Sequence, residues 1–169
     1  MSDNNPYSAP DADLAVETTG SGVDKVKEFP RFTTWAVVGL SIITLGIYTF
    51  YWLWSRTKTL NRLLPENKIS AWLPIMAIIT LIAYYIVAFA TPFLASASPE
   101  LGAALGGIGV IVNIAYIVFF LMWVFGFRKR LNQLSGSNKG DMFWLGGILT
   151  FFINVYYFQY KINQMHDHG

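Results

Sequence analysis

Cysteine is absent from the 169 residues, which excludes a disulfide framework, a thiolate nucleophile and a Cys-ligated metal. Charge is scarce as well: 13% of the residues are Asp, Glu, Lys or Arg, against 54% hydrophobic. The shortage is uneven. Residues 33–54, 72–95, 105–127 and 142–160 contain no Asp, Glu, Lys, Arg or His. At ~1.5 Å of rise per residue each is about 28–36 Å long as a helix, close to the ~30 Å hydrocarbon thickness of a bilayer. The chain therefore reads as a single all-α, polytopic membrane domain over residues 31–166 with four hydrophobic helical segments.

The same emptiness removes most chemistry. Proton relays and ion-coupled transporters place carboxylates, imidazoles or bases inside the membrane despite the cost, and these segments have none. Phosphate-binding glycine loops, His/Glu metal spacings and nucleophile–base pairs are also missing. Gly106-Gly107-Ile108-Gly109 follows no strand and reads as a packing feature. His166 and His168 flank Asp167 without a further fixed ligand, so they read as a solvated tail. No catalytic residue, metal site, cofactor or nucleic-acid partner is expected, and the protein is expected not to be an enzyme.

Residues 1–30 are polar, with Pro6, Pro10, Gly20 and Gly22 and only two aromatics, Tyr7 and Phe29. Such a stretch buries too little apolar surface to offset the entropy of ordering it, and a disordered tail is expected. It lacks the basic and apolar regions of a cleavable signal peptide, which leaves targeting to segment one. Within it, Asn5-Pro6-Tyr7-Ser8-Ala9-Pro10 resembles an N-terminal tag of small bacterial membrane proteins.

The charges that are present cluster. Arg56, Lys58, Arg62 and Lys68 lie in the loop at 55–71, and Arg128, Lys129, Arg130 and Lys139 in the loop at 128–141. The connection at 96–104 carries Glu100 and no base. Lys and Arg in short loops are retained in the cytoplasm, so the two basic loops are expected there and loop 96–104 on the far side. All six tryptophans fall near segment ends, five beside the basic loops. An indole favours the headgroup level, which makes Trp52, Trp54, Arg56, Trp72, Trp123, Arg128, Lys129, Arg130 and Trp144 candidates for an interface with anionic lipid.

Three similar blocks follow aromatic clusters: Thr59-Leu60-Asn61-Arg62-Leu63, Arg130-Leu131-Asn132-Gln133-Leu134 and Lys161-Ile162-Asn163-Gln164-Met165. Trp52 and Trp123 precede their asparagines by one spacing, and Phe127 and Phe158 precede theirs by a shorter one, the pattern of a degenerate internal repeat. The run Leu40-Ser41-Ile42-Ile43-Thr44-Leu45-Gly46-Ile47-Tyr48, with Tyr51-Trp52 and the Leu60-Asn61 extension, resembles the signature of a bacterial membrane family called domain of unknown function 4234. Tyr157-Phe158-Gln159-Tyr160-Lys161-Ile162-Asn163 is similar to that family's closing block. The resemblance implies an all-helical fold in the bacterial inner membrane. It implies no activity and no catalytic residue.

Thr44, Asn113, Thr150 and Asn154 are the candidate intramembrane polar groups. In an antiparallel pair of segments three and four, Asn113 and Asn154 fall within about 3 Å of the same depth, so an interhelical amide pair is expected. Two topologies compete. Four straight crossings strand Lys25, Lys27, Arg31 and Lys161 on the far side; if segments one and four turn back at Thr44-Leu45-Gly46 and Thr150-Phe151-Phe152, all twelve bases and the three blocks share one face. The functional expectation is a non-enzymatic interaction or lipid-organising protein, with anionic lipids and a homo-oligomer or membrane-protein assembly as partners. The alternative is a small pore formed by self-association, lined by the four polar candidates.

Overall fold

Only two of the four apolar segments become helices long and apolar enough to cross a membrane. The computed structural model describes residues 20–169, and in chain order the helices are α1 (Gly20–Val26), α2 (Thr34–Ile43), α3 (Ile47–Leu63), α4 (Trp72–Ala97), α5 (Pro99–Ser135) and α6 (Gly147–His168). Four straight spans are not what the chain forms. Residues 1–19 of the expected tail, including the stretch from Asn5 to Pro10, lie outside the described residues.

α4 and α5 are an antiparallel hairpin turned by a single extended residue, Ser98, whose hydroxyl accepts a hydrogen bond from Leu101 N. Pro99 at the first helical position and Glu100 in the first turn complete a well-formed helix start. Close approach of the two helices needs Gly102, where an added Cβ would run into Ala95, and Gly109, where it would press on Val87. Gly106 faces open space. α5 ends at Gly136 (φ 68°) in a Schellman closure, with Ser137 N donating to Asn132 O and Gly136 N to Gln133 O.

Segment one breaks at Thr44–Gly46, where Leu45 (φ 50°) and Gly46 (φ 90°) adopt left-handed backbone. Every N–H from Thr44 to Thr49 still has a partner: the carbonyls of Leu40, Ile42, Ser41, Thr44 and Gly46 accept five, and the Thr44 hydroxyl accepts Tyr48 N at 2.9 Å. The turn therefore needs no water for its donors. It reverses the chain, because the end of α3 returns to the start of α2. Arg56 donates to Pro30 O and Arg62 pairs with Glu28.

Segment four also folds back, but not at residues 150–152. Thr150 is helical, buried, and donates to Gly146 O; the break falls at Asn154 (φ 32°, ψ −107°). Asn offers a local acceptor to a chain leaving the helix, and Asn154 Oδ1 takes the following N–H, that of Val155. Beyond the break the helix runs beside its own beginning, with the Tyr157 hydroxyl accepting from Gly146 N and Lys161 donating to Met142 O.

The expected tail is corrected over its last third. Val23, Val26 and Phe29 are buried, Phe29 stands edge-on to Phe127, and α1 packs on the end of α5 at Gly22. Their spacing of three is the helical signal that marks them in the sequence.

Candidate functional site

All twelve Lys and Arg lie at one end of the α4–α5 pair, where both short hairpins begin and end. Contacts tie that end together: Arg130 donates to Asn67 O and Lys68 O, Arg128 to Leu145 O, Lys27 to Gly169 O, and Arg31 pairs with Asp167. Among the described residues the opposite end, at Ser98, carries Glu100 as its one charged side chain.

The three repeated blocks build this end. Asn61 donates from Nδ2 to Ile69 O (2.9 Å) and accepts Ile69 N at Oδ1 (2.7 Å), just ahead of α4. Asn132 does the same to Leu145 (3.2 and 2.8 Å), just ahead of α6. Asn163 donates to Phe32 O (2.9 Å), just ahead of α2. Each block thus clamps the entry of the next helical hairpin, and the third closes the ring onto the first. The units are Phe32 to Asn61, Ile69 to Asn132 and Leu145 to Asn163, each a helix out, a reversal and a helix back.

Equivalent positions on the three return helices are buried alike. The residue before each asparagine (Leu60, Leu131, Ile162) and the residue eight before it (Leu53, Val124, Val155) are all fully buried. Nine before, Trp52 Nε1 donates to Gln159 Oε1 (2.8 Å) and Trp123 Nε1 to Thr57 Oγ1 (2.9 Å). Each tryptophan reaches the residue four before the asparagine of another unit; the third unit has Asn154, the break, in its place. Five before, Phe127 and Phe158 pack at 5.0 Å, and the first unit has Arg56. Arg56 is buried over the Trp52 ring at 5.4 Å, its Nε has no partner among the described residues, and burial pushes its pKa down.

These placements revise the interface candidates. Trp52 and Trp123 form the core and cannot touch a headgroup, since their N–H groups satisfy buried polar acceptors within the fold. Arg56 is buried with them. Arg128 and Arg130 hold backbone carbonyls, with Arg128 also lying over Trp144 at 4.8 Å. Trp72 and Lys129 are exposed, Trp54 and Trp144 half-buried. Lys58, Lys68 and Lys139 are exposed cations at the same end.

The polar candidates do not converge. Asn113 lies against Tyr84 and Thr91 on the outer part of the α4–α5 hairpin, whereas Asn154 lines a different cavity, so the expected amide pair is not made. Thr44 and Thr150 spend their hydroxyls on backbone carbonyls of their own helices. The Asn154 cavity, about 310 Å³, lies where the two hairpin tips meet, between Leu45, Gly46 and Asn154 on one side and Leu81, Tyr85 and Tyr116 on the other. Leu81 and Tyr85 are roughly 14–20 Å along α4, whose 26 residues extend about 39 Å. Both tips therefore stop at about half the length of α4.

A family model described as Domain of unknown function (DUF4234) matches residues 32–133. That span begins at Phe32 and ends one residue past Asn132, so it takes in the first two hairpin units and leaves the third block, from Tyr157 to Asn163, outside. No curated protein and no solved structure matches the chain.

Proposed function

The chain belongs to this family of unknown function, and from its geometry we propose a non-enzymatic, lipid-organising module of the bacterial inner membrane, anchored by α4 and α5 with both termini in the cytoplasm. The observation that carries the reading is the collection of every Lys and Arg at the end where both short hairpins close. Positive charge in short segments is retained in the cytoplasm, and no straight-span topology keeps all twelve bases there. Lipid as the surrounding medium is supported by the two long helices: only 17% and 11% of their most apolar windows are buried by protein, unlike the core helix of a soluble domain. Exposed Lys58, Lys68, Lys129 and Lys139 then face headgroups, where each cation attracts anionic lipid by about 1 kcal/mol.

Cysteine labelling tests this in a chain that has none. In intact cells an impermeant thiol reagent should reach Ser96→Cys and not Lys139→Cys or His168→Cys. Labelling of His168→Cys together with Ser96→Cys overturns the topology. Native mass spectrometry in mixed lipid tests the headgroup preference. The combined Lys58→Gln, Lys68→Gln, Lys129→Gln and Lys139→Gln variant should retain less anionic lipid than the parent, and equal retention counts against a lipid role.

A further inference from the structure

We propose that the protein is a leaflet-selective wedge: it occupies more area in the leaflet at its basic end than in the other, and so partitions with membrane curvature. The inference rests on the membrane topology proposed above and adds a consequence of the hairpin lengths. α2 has ten residues, about 15 Å, half of a ~30 Å hydrocarbon core. The section of α6 before Asn154 is shorter still, and both tips end beside Leu81 and Tyr85 of α4. Below that level the cross-section contains all three hairpins; above it, among the described residues, only α4 and α5. With a helix about 10–12 Å across, four additional helical strands add on the order of 300–450 Å² to one leaflet alone.

Two features keep this shape in lipid. The tips carry exposed apolar side chains, Ile42, Ile43, Leu45 and Ile47 on one and Phe151 and Phe152 on the other, so their outer surface suits hydrocarbon. The Thr44–Gly46 reversal pairs its own N–H groups, so the half-depth turn does not have to reach water or the far headgroups. The clamps at Ile69, Leu145 and Phe32 hold the wide end together. A rigid body wider on one side is accommodated best where that leaflet is expanded, on the convex face of a curved bilayer.

The experiment uses the full chain reconstituted into small sonicated and large extruded vesicles of one lipid composition. Single-site variants Lys139→Cys, His168→Cys and Ser96→Cys are titrated with an impermeant maleimide, which reports the fraction with the basic end outward. The ratio of outward to inward basic ends should be roughly threefold higher in the small vesicles. It should persist in a background carrying Lys58→Gln, Lys68→Gln and Lys129→Gln, because the cause is shape. An equal ratio at both sizes overturns the wedge, as does a ratio that disappears with the charges. His168→Cys reacting with Ser96→Cys instead of with Lys139→Cys is a different failure, that of the topology itself.

Discussion

Asn61 and Asn132 each hold both polar groups of one backbone unit, Ile69 and Leu145, both buried. A carboxamide presents a donor and an acceptor side by side, as a neighbouring strand would, and a helix entry that has left regular structure needs both. Asn61→Leu should lower stability by about 2–4 kcal/mol, since both groups of Ile69 lose their partner. Asn132→Leu should cost less, because Arg128 still donates to Leu145 O. Thermal unfolding in detergent gives the ranking, and a reversed order would mean the clamps do not work through these bonds. Arg56 is the opposite case. It stands where the other two units have Phe127 and Phe158, with a buried Nε that finds no acceptor among the described residues. Replacing a buried, incompletely paired charge by a packed apolar side chain is often stabilising. Arg56→Phe should therefore raise the unfolding temperature, and a fall would assign the guanidinium a role beyond packing.

Among the elements, α4 and α5 depend on small residues at one end and on the clamps at the other. Lipid tails are as apolar as leucine, so helices in a bilayer associate by close packing, not by hydrophobic expulsion. Gly102 lies against the backbone of Ala95, whereas Gly106, one turn on, meets nothing. Gly102→Val should open the outer end of the hairpin at a cost of about 1–3 kcal/mol, and Gly106→Val should be tolerated. A disulfide-trapping probe between the outer ends of α4 and α5 would register the opening, and equal behaviour of the two variants would refute the close contact.

For the whole molecule, the wide basic end is the structural core. α1 and the chain up to Phe29 close it from outside. Phe29 is held by Phe127 and, through its carbonyl, by a ring nitrogen of His166. Phe29→Ala should cost about 3–5 kcal/mol, the range for a buried phenylalanine. Loss of monodispersity in detergent at lower temperature is the readout; an unchanged protein would return residues 20–29 to the status of a tail.

Residue type and spacing alone determined the apolar segments, the all-helical class, the family and the clustering of cations, and offered Thr44-Leu45-Gly46 as a candidate break that the structure then decided. Each of these depends on local quantities: transfer energy of a run, charge in a loop, glycine at a left-handed position. The three asparagine blocks were legible as a pattern but not as clamps, because their partners lie 8, 13 and 131 residues away. Tryptophan misled for a related reason. An indole near a segment end fits both a headgroup layer and a buried core with an acceptor, and only the arrival of Gln159 and Thr57 from other units decided that Trp52 and Trp123 are core. The reversal in segment four was open in the sequence as one of two topologies, but at Thr150-Phe151-Phe152, and only the structure moved it to Asn154. It exists because the returning helix packs its Val155, Phe158 and Ile162 against the other two units, a gain in burial available only once the three hairpins have come together.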